Sequence, residues 1–129
     1  MIRHGILNPH VLSLIARVRH TNTLVIADRG FPSWPGLETV DLSLVDDVPT
    51  VSQVVTALLA QWSAGRAYMA EEFLRANPAG SRERIAALLG GVPCEFEPHV
   101  QFKLRVPRAV GLIRTGDTTQ YANMILESA

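Results

Sequence analysis

Apolar and polar positions alternate in two different periods along this chain, and the changes of period mark its elements. Asn8-Pro9 is followed by Val11, Leu12, Ile15 and Val18 at helical spacing. Asn8 suits a cap and Pro9 the first helical position, so a first helix is predicted, ending near Arg19. Residues 23–27 form a short continuous aliphatic run, the pattern of a strand buried on both faces. Residues 28–36 carry two glycines and two prolines and read as a loop. A second strand is predicted over 40–44. Thr50 and Gln53 match a capping box, and Val51, Val54, Val55, Leu58, Leu59 and Trp62 give the following helix an apolar face.

Further on, 66–70 reads as a strand and 81–89 as a helix with Ser81 as its cap. Gly90-Gly91 stops that helix. Strands are predicted over 94–96, 109–113 and 124–126, and a short helix over 100–104. Helices between strands argue for an α/β protein, a three-layer sandwich around a central, largely parallel sheet. The pattern shows no repeat and no linker, so residues 1–129 are read as one domain.

Twelve basic residues balance twelve acidic ones, so no global charge draws the chain to nucleic acid or membrane. Lys103 is the only lysine. Cys94 is alone, which excludes an internal disulfide, and no CxxC or His/Cys cluster suggests zinc. No run of 18 apolar residues occurs, and the start lacks a hydrophobic signal core. The expectation is a cytoplasmic protein.

Candidate chemistry gathers at the ends of the apolar runs. His20 precedes the 24–27 run and Asp28 follows it; Tyr121 and Asn123 precede the 124–126 run. Strand ends are where α/β proteins keep their sites. His20 reads either as a cation at a helix C-terminus or as a general acid or base, because imidazole titrates near neutrality. Asp28 reads either as a turn residue or as a hydroxyl acceptor or base. Eight steps of extended chain between them span roughly 26 Å, too far to grip one small molecule together. Either the chain bends at Thr21-Asn22, or a site using both draws them from different subunits. His99 and Lys103, four apart, share a face if helical. Arg114-Thr115-Gly116-Asp117 lacks the spacing of a phosphate loop, and no nucleophile elbow occurs. By themselves these spacings support a soluble α/β domain with a possible small-molecule site.

Four segments together resemble the D-ribose pyranase / L-fucose mutarotase family. They are His4-Gly5-Ile6-Leu7-Asn8; His20-Thr21-Asn22 through Ala27-Asp28-Arg29-Gly30-Phe31-Pro32; His99 with Phe102-Lys103; and Arg114-Thr115-Gly116-Asp117 with Tyr121-Ala122-Asn123-Met124-Ile125-Leu126. The resemblance implies an isomerase of a free monosaccharide, D-ribose before other sugars, working without cofactor or metal. It implies that His20 donates a proton and that Asp28, His99, Lys103, Tyr121, Ala122 and Asn123 bind the sugar. It also implies a ring-shaped homo-oligomer, an octamer or decamer, with sites at subunit contacts. The chain departs from the family at Arg29, Asn22, Thr118-Thr119-Gln120 and the tail Glu127-Ser128-Ala129. Arg29 could pair with Asp28 or turn to solvent; Trp34 could stack on a sugar or pack the loop. Phe31 resembles the fucose branch, while His99 and Lys103 resemble the ribose branch. Alternatives are therefore a fucose-type mutarotase and a non-catalytic sugar-binding protein of the same fold.

Overall fold

The computed structural model describes residues 1–129. Its elements are α1 (Pro9–Ile15), β1 (Thr23–Ala27), β2 (Thr39–Asp41), α2 (Val51–Leu59), β3 (Ala64–Ala70), α3 (Glu72–Ala76), α4 (Ser81–Leu89), β4 (Cys94–Glu97), α5 (His99–Arg105), β5 (Gly111–Arg114) and β6 (Met124–Ser128). A 3-10 turn over Val106–Arg108 leads from α5 toward β5. The six strands form one sheet in the order β2-β5-β1-β6-β3-β4. β6 pairs antiparallel with both β1 and β3, while β1–β5, β2–β5 and β3–β4 are parallel. Five strands therefore run one way and β6 alone runs back, a largely parallel sheet as the pattern predicts.

Helices cover both faces. Leu24 and Ile26 of β1, Met124 and Leu126 of β6 and Ile113 of β5 pack with residues of α1, α2, α3 and α4. Val25, Ala27, Ile125 and Leu112 point the other way and pack with Phe31, Phe102 and Val106. Burial on both faces is why these strands read as unbroken aliphatic runs. Each of the larger aliphatic side chains contributes about 1.5–3 kcal/mol of burial, which favours covering β1 and β6 on both faces.

The caps follow the sequence signals. Asn8 accepts from the N–H groups of His10 and Val11, and Thr50 and Gln53 form the capping box. Other boundaries shift. α1 stops at Ile15, because the chain tightens into i→i+3 bonds at Arg17 and Val18. His20 thus lies five residues past the helix and does not cap it. Ser81 is the first residue of α4, not its cap; Gly80 precedes it at φ +91°, and the Ser81 hydroxyl donates to the Pro78 carbonyl. β2 ends at Asp41, whose carboxylate accepts from the Ser43 N–H and turns the chain away. β6 continues through the polar Glu127-Ser128 because β1 and β3 hold it on both sides. α3 has only five residues, too few for a periodic signal. No helix is long and apolar enough to cross a membrane.

Candidate functional site

β1 ends where β6 begins, because the two are antiparallel neighbours with Ile26 opposite Met124. That register sets Asp28 beside Asn123. The Asp28 N–H donates to Asn123 Oδ1 at 2.7 Å, and Asn123 Nδ2 donates to Asp28 Oδ2 at 3.1 Å. The other carboxylate oxygen accepts from the Gly30 N–H at 3.0 Å. Burial raises the Asp28 pKa above the ordinary carboxylate value, against the hydrogen bonds from Gly30, Asn123 and Phe31, which act to lower it.

The loops around this pair are braced from behind. The Thr115 hydroxyl donates to the Ala27 carbonyl at 2.8 Å, and the Arg29 N–H donates to the Asp117 carbonyl at 3.1 Å. The buried Asp117 carboxylate accepts from the N–H groups of Val51 and Thr119, both at 2.8 Å. Arg114 donates to the Phe31 carbonyl at 2.9 Å. These struts join β5, α2 and the site loops.

α5 supplies His99 and Lys103 on one face. Its first N–H, that of His99, donates to both oxygens of Glu72 at 3.1 Å, so α3 fixes where α5 starts. The His99 ring stacks on Phe102 with centroids 6.0 Å apart and meets the Tyr121 ring edge-on at 5.2 Å. Tyr121 holds a left-handed backbone, φ +56°, which turns its ring toward His99. Burial and the Lys103 charge lower the His99 pKa, with Glu72 and Asp28 pulling the other way. The balance favours the neutral imidazole. His99 Nδ1 is buried without a hydrogen-bond partner.

Asp28, Gly30, Phe31, Pro32, His99, Lys103, Gln120, Tyr121 and Asn123 line one open cavity of about 320 Å³. The fold thus gathers Asp28, His99, Lys103, Tyr121 and Asn123 from three separated stretches. It does not bring His20 there. Thr21 does take a left-handed turn, φ +64°, but its N–H donates to the Ser128 carbonyl. His20 is exposed at that far end of β1, away from Asp28 by the strand's length of about 13 Å or more. Ala122 is also placed differently. Its buried side chain lines a second cavity of about 320 Å³, with Met69, Phe73, Arg84 and Asp117, and only its backbone stays between Tyr121 and Asn123. Arg29 reaches away from Asp28 and pairs with Asp46 at 2.6 Å. Trp34 stacks on Phe31 at 6.0 Å and lies outside the cavity lining. Glu72 carried no signal in the sequence; Asp117 stood there only as part of a motif and Gln120 only as a departure from the family, and long-range contact gives all three their places. No three His, Cys, Asp or Glu side chains gather in a metal-ligating arrangement.

An α/β sandwich with a polar cavity where two antiparallel central strands meet has room there for a small molecule. The chain belongs to the RbsD / FucU transport protein family, whose model matches residues 1–129. It is 42% identical over 128 residues to a D-ribose pyranase of Geobacillus kaustophilus, covering 99% of this chain and 93% of that one. It is 40% identical over 128 residues to a D-ribose pyranase of Chromobacterium violaceum, covering 99% and 97%. The structure of Bacillus subtilis RbsD complexed with D-ribose superposes with a TM-score of 0.92 at 33% identity, covering 100% of this chain and 98% of the other. A fucose mutarotase of Streptococcus pneumoniae in complex with L-fucose shares the fold, with a TM-score of 0.76 at 18% identity over 99% of this chain and 98% of that one.

Proposed function

We propose that this protein is a D-ribose pyranase, a cofactor-independent isomerase that interconverts the pyranose and furanose forms of free D-ribose. The observation that carries this reading is the single cavity shared by Asp28, His99, Lys103, Tyr121 and Asn123, in a chain whose full-length relatives are named for that reaction.

The chemistry asks little. A base takes the proton of the anomeric hydroxyl while an acid protonates the ring oxygen. The bond from the anomeric carbon to the ring oxygen breaks, leaving the open-chain aldehyde. Another hydroxyl then attacks the aldehyde carbon and closes the other ring size. General acid–base help of this kind is worth about 10²–10⁴-fold. Asp28, held by Asn123 and Gly30, accepts sugar hydroxyls. Lys103 donates to one, and His99 and the Tyr121 phenol complete the polar lining.

His20 is the proton donor in this reading. Because it stands at the opposite end of β1, it serves the cavity of a neighbouring subunit. The working form is accordingly a ring-shaped homo-oligomer with each site at a subunit contact. The non-catalytic reading loses its motive, since Arg29 pairs with Asp46 and not with Asp28. A fucose-type preference has Phe31 in the cavity lining in its favour.

Saturation-transfer NMR on a panel of sugars at equilibrium tests the proposal. The expected result is protein-dependent exchange between ribopyranose and ribofuranose signals, faster than for fucose anomers. Absence of ribose exchange would sink it, and faster fucose exchange would move the assignment to the second sugar.

A further inference from the structure

Gln120 lines the cavity beside Lys103 and Tyr121, and the acid–base scheme gives it no part. Its backbone is fixed. The Gln120 carbonyl accepts from Asn77 Nδ2 at 2.9 Å, and the same amide group donates to the Phe73 carbonyl at 2.8 Å. One residue back, the Thr119 N–H is held by Asp117 at 2.8 Å. One residue on, Tyr121 is in the left-handed turn. The exposed residue thus lines the cavity from an anchored stretch of chain.

A primary carboxamide carries an acceptor oxygen and two donor hydrogens in one plane. Two neighbouring hydroxyls can meet it together, one donating to Oε1 and the other accepting from Nε2. The other lining groups do not offer this planar pair. An ionised Asp28 only accepts and Lys103 only donates, the Tyr121 phenol puts its donor and acceptor on one atom, and the Asn123 carboxamide already bonds Asp28 through both its oxygen and its nitrogen.

We propose that Gln120 is a specificity-determining residue that reads a pair of adjacent hydroxyls on the bound sugar. The proposal rests on the cavity being the sugar site. It assigns to Gln120 discrimination between sugars, not proton transfer.

The test is a panel of D-ribose, 2-deoxy-D-ribose and 3-deoxy-D-ribose, measured by equilibrium binding and by NMR exchange on the intact assembly. Gln120→Met keeps the length of the side chain and removes both hydrogen bonds; Gln120→Glu keeps an acceptor and removes the donors. Gln120→Met is expected to weaken D-ribose about fivefold or more, the factor for one lost hydrogen bond. At least one deoxy sugar should stay within about twofold, so that the preference for ribose shrinks. Gln120→Glu should fall between Gln120→Met and the parent. An equal weakening of all three sugars, or no change for any, overturns the proposal. Parent protein that binds ribose without exchanging it overturns the isomerase reading alone, and the binding panel still decides Gln120. Parent protein that binds no sugar overturns both.

Discussion

Asp28 and Asn123, 95 positions apart, hold each other by two hydrogen bonds: the Asp28 N–H to Asn123 Oδ1 at 2.7 Å and Asn123 Nδ2 back to Asp28 Oδ2 at 3.1 Å. The pairing of β1 with β6 sets the two residues side by side. Asn123 is buried, so its amide has no water to fall back on. The pair fixes the carboxylate at the cavity wall before any ligand arrives, which lowers the ordering cost of binding.

Asn123→Ala orphans the Asp28 N–H and frees its carboxylate. A stability loss of about 1–3 kcal/mol is expected from the unsatisfied buried donor, together with a rise in KM for ribose of tenfold order. Chemical denaturation and NMR exchange read the two effects. An unchanged KM with lowered stability would mean that the pair serves the fold only.

Acid should weaken binding earlier than for an ordinary aspartate. Burial raises the Asp28 pKa, so protonation begins above the usual value of about 3.9. A protonated Asp28 accepts fewer hydroxyls, and kcat/KM should fall on that limb. The stability effect has the opposite sense. With the folded pKa raised, the contribution of Asp28 is fully present below its unfolded pKa and is lost as pH rises through the folded one. Asp28→Asn should remove the acid limb and flatten the stability slope in that window. A limb that persists in Asp28→Asn must belong to another group.

Glu72 reaches His99 both as a hydrogen-bond acceptor at the start of α5 and as a charge. Glu72→Gln keeps an acceptor and removes the charge that raises the His99 pKa. The His99 pKa, followed by its ring-proton NMR shift, should drop further below that of the parent. Glu72→Ala should in addition cost about 0.5–2 kcal/mol, the usual range for a lost helix cap. An unmoved or raised pKa in Glu72→Gln would remove Glu72 from the site's electrostatics.

Mixing distinguishes a shared site from an internal one. His20→Ala and Asp28→Ala proteins, each expected to be inactive alone, are unfolded together and refolded into mixed assemblies. If each site takes His20 from one subunit and Asp28 from another, random mixing restores about a quarter of the sites. Mass spectrometry confirms mixed assemblies, and NMR exchange counts the recovered activity. Verified mixed assemblies without activity would refute the shared site.

Cys94 offers a check on the fold itself. Burial pushes its thiol up to about 12, and a thiol in that state is a poor nucleophile. In native protein it should resist iodoacetamide near pH 8 and react on unfolding. Rapid native alkylation would contradict the packing of β4.

The sequence by itself determined the burial pattern, and with it most of the elements. Runs such as 24–27 and 124–126 are aliphatic throughout because both faces of a central strand are covered, and that demand is written locally. The caps at Asn8 and Thr50 are equally local. So is the placing of Asp28 and Asn123 at strand ends. The resemblance brought in His99 and Lys103 through motif residues alone. What the tertiary structure decided is every relationship that depends on pairing at a distance. The reversed β6 set Asp28 against Asn123. A five-residue helix too short to show periodicity brought Glu72 to His99. The buried Asp117 tied α2 to the site loops, and Asn77 pinned Gln120. His20 and Asp28 were already at opposite ends of the 24–27 run in the sequence; the structure decided only that the Thr21 turn, tied to the Ser128 carbonyl, does not fold His20 back to the cavity. Strand order and register arise from packing summed over the whole sheet, which no single stretch of chain encodes.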